Sequence, residues 1–150
     1  MTGWVLTILL FALPWLPWRP EAAEELAKVQ IQVHRGYDTA SRPYPAALTY
    51  DLVIHWYPCM GDRPIGDLLH ESMHYLASKH GMGHNDWSKF ARVAMRELKR
   101  GDFDRTMIRD ARYYLSYGGH ELHAELPWLT RGQIPAKLAP WYPWFHFEGQ

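Results

Sequence analysis

The chain has 150 residues, and 16 Lys+Arg balance 16 Asp+Glu, so it is expected to form one domain, and no global field draws it to nucleic acid or an anionic surface. Nucleic acid is therefore not expected among its partners. Its composition is 47% apolar and 15% aromatic; the single cysteine, Cys59, excludes an internal disulfide and a cysteine-based zinc site, and beside Pro58 it reads as a packed residue.

From Trp4 to Trp18 the chain runs WVLTILLFALPWLPW without a charge. That is shorter than the ~20 residues of a spanning helix, and Pro14 and Pro17 interrupt it. It has the length of a signal h-region, with Ala22-Ala23 near a cleavage site, but no Lys or Arg precedes it. Residues 1–23 therefore read as an apolar segment and 24–150 as the domain. An exported or membrane-anchored chain is favoured over one that packs this segment on the domain, and membrane contact would run through it.

EAAEELAKVQ is helix-forming, with acidic residues in its first turn, where the helix dipole favours them. Val29, Ile31 and Val33 then alternate as in a strand. DTASRPYPAA reads as a loop. In LTYDLVIHW, Leu48, Tyr50, Leu52, Ile54 and Trp56 alternate with Thr49, Asp51, Val53 and His55, which predicts one continuous strand over 48–56. Pro64 suits the first turn of a helix whose apolar positions are Ile65, Leu68, Leu69, Met73, Leu76 and Ala77, up to Gly81. Asn85 or Asp86 caps a third helix and Asp102 or Asp104 a fourth, which ends at Gly118-Gly119. HELHAEL is a short fifth helix that Pro127 stops or kinks. The sum is α+β, a small N-terminal sheet followed by helices.

The chemistry concentrates in His70-Glu71-Ser72-Met73-His74. Residues i and i+4 share a helix face, so both imidazoles can grip one metal ion, while Glu71 sits one step round the helix, able to take the proton of an attacking water. A hydrolytic zinc needs three protein ligands and an open position. Three residues compete for the third place. His80 has the metzincin spacing, but Ala77 stands where that pattern needs a glycine to turn the chain. His84 opens GHNDWSKFARVAMREL, which is similar to a segment of SprT-like metalloproteases, although a His-Gly-x-x-aromatic order is replaced by His84-Asn85-Asp86-Trp87; that reading implies a DNA-associated substrate, which the charge balance disfavours. Glu121 lies in YYLSYGGHELHAELPW, and Glu125 shares its helix face, placed to hydrogen-bond a ligand histidine. Manganese or cobalt would suit the same donors as zinc.

His70-Glu71-Ser72-Met73-His74, then Tyr114 or Tyr117, then Glu121-Leu122-His123-Ala124-Glu125, then IPAKLAPWYPWF together resemble the gluzincins of the anthrax-lethal-factor type and their minimal single-domain relatives. The resemblance spans residues 48–146. It implies a zincin-like α+β fold with a small N-terminal sheet, an active-site helix and a helical C-terminal part. It also implies one zinc held by His70, His74 and Glu121, with Glu71 as general base and Tyr114 or Tyr117 stabilising the oxyanion. Pro127, soon after Glu125, departs from the longer helix of that family. The expected function is a zinc metallopeptidase acting on a peptide or protein that pairs with an edge strand formed by part of LTYDLVIHW. The alternatives are the SprT-like protease using His84 and a non-catalytic module stabilised by its metal. No oligomeric state follows from the sequence.

Overall fold

The computed structural model describes residues 3–35 and 44–149, and the chain is α+β. Its elements are α1 Gly3–Phe11, α2 Ala22–Ala27, β1 Gln30–Val33, β2 Ala46–Leu48, β3 Val53–Trp56, α3 Pro64–Lys79, α4 His84–Arg100, α5 Arg105–Leu115 and α6 Gly119–Leu129, followed by a 3-10 turn at Ala136–Trp141. Of the loop expected over 38–47, residues up to 43 lie outside the described ones; Ala46 and Ala47 are already strand.

The stretch 48–56 is not one strand. Only Leu48 belongs to β2, and a tight turn separates it from β3. The turn is built locally: the Thr49 hydroxyl bonds the Asp51 carboxylate and also donates to the Val53 carbonyl at 3.0 Å, while Leu52 takes φ 62°. Short polar side chains that capture nearby backbone favour turns over ladders, and here they override the alternation.

The strand order is β1-β3-β2, with β1 parallel and β2 antiparallel to β3. β2 is thus an edge. Tyr57 N–H donates to the Pro45 carbonyl and Thr49 N–H to the Val53 carbonyl. The antiparallel alternation therefore leaves the main-chain groups of Ala46 and Leu48 facing away from β3. That open side lies along α3.

α3 begins with Pro64 in its first turn, as expected, and ends at His80, with Gly81 beyond it at φ 70°. Leu68, Leu69, Met73 and Leu76 are fully buried, each stabilising the fold by about 1.5–3 kcal/mol. The other face carries His70, Glu71 and His74. Asp86 accepts from Gly83 N–H at 2.8 Å to start α4, and Asp104 accepts from Met107 N–H at 2.7 Å to start α5.

α6 neither stops nor breaks at Pro127; it runs on to Leu129. A proline leaves the carbonyl four residues back without its helical donor. That carbonyl belongs to His123, and the Tyr142 hydroxyl donates to it at 2.8 Å. The aromatic tail thus supplies the bond that the proline removes, and the helix carries its side chains past the point where the sequence predicts an interruption.

The first helix packs on α2 and α3. Leu6 and Leu10 are fully buried within the main core cluster, while Trp4 and Ile8 face solvent. A Cβ at Gly3 would lie 2.2 Å from the Ala27 carbonyl oxygen, so the close approach of α1 to α2 requires glycine there. The tail closes over this segment: Arg19 Nε donates to the Phe145 carbonyl at 2.9 Å, and the Trp18 and Phe145 rings lie 4.7 Å apart. Among the described residues no helix is long and apolar enough to cross a membrane. Cys59 lies in the turn after β3 and is exposed, not packed as the sequence suggests.

Candidate metal centre

His70 and His74 project from one face of α3, and α6 brings Glu121 against both. The Glu121 carboxylate lies 2.9 Å from His70 Nε2 and 3.0 Å from His74 Nε2, and the two Nε2 atoms are 3.2 Å apart. Bonds of about 2.0–2.1 Å to one tetrahedral centre put their ends about 3.3 Å apart. The donor set therefore has spacing and chemistry that could hold a metal ion, drawn slightly tight by its own hydrogen bonds.

Donor atoms of His70, Glu71 and His74 also lie within 4.8 Å of one another. Glu71, however, is committed elsewhere: its Oε2 accepts the outward Leu48 N–H at 3.0 Å, which ties the edge strand to α3. Its place is between the histidines and β2.

The far nitrogen of His70 is held as firmly. Glu125 is fully buried, and its Oε2 lies 2.6 Å from His70 Nδ1. Nδ1–H donates to that carboxylate, which leaves Nε2 aimed at the centre. Burial opposes charging the His70 ring, but Glu121 and Glu125 override it and raise its pKa to about 10. Burial would likewise raise Glu121, yet its bonds from His70 and His74 hold it well below the usual carboxylate range. In the metal-free chain a proton thus neutralises charge that a cation would otherwise balance.

The two tyrosines differ. Tyr114 Oη accepts from Arg63 Nη2 at 2.8 Å, and its ring lies 5.9 Å from the His70 ring. Burial, then the nearby Glu125 charge, pushes the phenol pKa up, so it stays protonated and able to donate. Tyr117 is 64% exposed and packs edge-on against Tyr113. Both line a cleft of ≈ 990 Å³ that runs past Ala46, Leu48, Glu71, His74 and Glu121.

Neither rival third ligand joins the bonded set. His80 caps α3 and turns away to Glu25 of α2, at 2.9 Å, since without a glycine at 77 the helix simply continues. His84 is exposed in the first turn of α4, on the cleft wall. Two nearby residues have no ligand role in the sequence reading: Arg63, which it does not single out, and His120, which it notes only within the ionisable run 120–125. Arg63 bonds both Glu125 and Tyr114, and the Pro64 that follows it signals only a helix start. His120 Nε2 lies 3.5 Å from Glu121 Oε1, its signal being only its adjacency to Glu121.

His123, in the same ionisable run, belongs to the core. It is fully buried, stacks on Tyr142 at 4.3 Å, and donates from Nε2 to the Trp141 carbonyl at 2.6 Å. Burial pushes its pKa down to about 3. Below the ordinary value of 6.5 the unfolded chain takes up a proton that the folded chain refuses until about pH 3. Stability present above 6.5 is therefore lost as pH falls through that window. In the metal-free chain His70 stays charged in the fold and is mostly charged in the unfolded chain there, so it adds only a small slope of opposite sign. Urea unfolding at about pH 6 and about pH 5 is expected to show stability falling by up to about 1.4 kcal/mol per unit from this group. His123→Gln, which can still donate to Trp141, removes that share of the slope; an unchanged slope would contradict the assignment.

No protein-family profile, curated protein or solved structure matches this chain.

Proposed function

We propose that this chain is a small zinc-dependent peptidase with a zincin-like fold. The observation that supports it most is the convergence of His70 Nε2, His74 Nε2 and the Glu121 carboxylate, each within 3.2 Å of the next, beside a carboxylate that is not part of the set. A zinc ion held there would polarise a scissile carbonyl and make water a better nucleophile.

The chain's own residues supply the rest. Glu71 takes the proton from the attacking water and passes it to the leaving amine. Tyr114 keeps its proton and donates to the oxyanion; its burial and its bond to Arg63 favour it over the exposed Tyr117. Glu125 keeps His70 in the tautomer that ligates. An extended peptide adds to the sheet at β2, where the main-chain groups of Ala46 and the Leu48 carbonyl turn outward, while Leu48 N–H stays with Glu71. Glu71 and the β2 edge thus meet at Leu48, which puts the base beside the peptide.

The test is digestion of a mixed peptide library by the purified chain, read by mass spectrometry. Cleavage that a chelator stops and zinc restores is the expected result. Cleavage indifferent to the chelator would contradict the metal reading, and zinc binding without cleavage would favour a metal-stabilised binding module.

A further inference from the structure

We infer that Arg63 is a positioning residue that sets both the metal-ligating histidine and the tyrosine that donates to the oxyanion; this rests on the peptidase reading above. Arg63 lies just ahead of α3, remote in sequence from α5 and α6. Its Nη1 bonds Glu125 Oε1, its Nη2 donates to Tyr114 Oη at 2.8 Å, and its Nε lies 3.5 Å from Asp67. The guanidinium also sits 6.0 Å from the Trp128 ring. One rigid fork therefore joins the loop before α3 to α5 and α6.

Two consequences follow from the donor chemistry. A guanidinium only donates, so Tyr114 Oη must accept from Arg63 and keeps its own O–H to give. The Glu125 carboxylate is close enough to take that O–H. By bonding Glu125 Oε1 as well as Tyr114 Oη, Arg63 fixes the phenol beside this carboxylate and competes with it for the acceptor, so the phenol proton can turn to the cleft when an oxyanion forms there. On the other side, Glu125 Oε2 holds His70 Nδ1 at 2.6 Å. The same arginine thus steadies the carboxylate that aims His70. A lysine could keep one of these bonds but not the fork.

The test uses cobalt(II) in place of zinc and acetohydroxamate as the probe. Both bindings are read from the visible spectrum, so no substrate is needed. Tyr114→Phe is expected to leave cobalt affinity within about twofold and to weaken acetohydroxamate about tenfold, the loss of one hydrogen bond. Arg63→Gln is expected to weaken cobalt about 10- to 100-fold and acetohydroxamate as much as Tyr114→Phe does. In the Arg63→Gln background, adding Tyr114→Phe should then cost less than about twofold. Arg63→Lys, the milder change, should recover most of the cobalt affinity through its charge on Glu125 while acetohydroxamate stays weak. Multiplying effects of Arg63→Gln and Tyr114→Phe on acetohydroxamate, or cobalt affinity untouched by Arg63→Gln, would overturn the inference alone. A wild-type chain that binds no cobalt would overturn the metal site and this inference with it.

Discussion

Glu71→Gln is expected to lower the rate of peptide hydrolysis by at least about 100-fold while the chain keeps its metal. Glutamine has the shape of glutamate and an oxygen that can still accept the Leu48 N–H, so β2 stays tied to α3. What it lacks is a basic site for the proton of the attacking water. The fold and the donor set are therefore left as they are, and only the chemistry is removed. The check is the variant's turnover of whichever library peptide the wild type cleaves, with zinc content measured on the same sample. Turnover near that of wild type would remove Glu71 from the mechanism. Loss of both turnover and metal would mean that Glu71 is a ligand.

Glu121→Ala is expected to abolish stabilisation by zinc. In the wild type, zinc at about 100 times its dissociation constant should stabilise the fold by about 2.7 kcal/mol. With Ala at 121, two imidazoles remain, and zinc affinity is expected to fall by more than about 100-fold. Melting with and without zinc reads this directly: a large upward shift for wild type, little or none for the variant. The metal-free variant also loses the bonds from Glu121 to His70 and His74, so the comparison is made within each protein. An equal zinc shift in both would exclude Glu121 as a ligand.

Much of the site was legible because helices carry their own spacing. His70 and His74 lie about one turn apart on α3, so their common face, with Glu71 one step round, follows from 3.6 residues per turn. Glu121 and Glu125 share a face of α6 for the same reason. The contact between the two helices was not legible from periodicity; the resemblance to gluzincins carried that pairing, and the structure brings Glu121 and Glu125 against His70.

Misread elements trace to interactions of side chains with backbone. Pro127 reads as a stop or a kink, and the stop does not occur, because a single sequence does not show that Tyr142 will donate to the orphaned His123 carbonyl. The stretch 48–56 reads as one strand because its alternation is real, but Thr49 and Asp51 fold it back on itself. Arg63 escapes notice because its partners lie 51 and 62 positions away. The apolar segment at the start reads as a leader or anchor ahead of a packed helix, and the choice is narrow because both need the same residues. Gly3 against Ala27 and Trp18 against Phe145 are contacts that only the folded chain reveals.

The central claim is that His70, His74 and Glu121 hold one zinc ion. It is tested most directly by elemental analysis of purified wild type, Glu121→Ala and His84→Ala after equilibration with zinc and removal of the excess. One zinc per chain in wild type and in His84→Ala, with little in Glu121→Ala, is the result this account predicts. Zinc retained by Glu121→Ala but lost from His84→Ala, or no zinc in folded wild type, would contradict it.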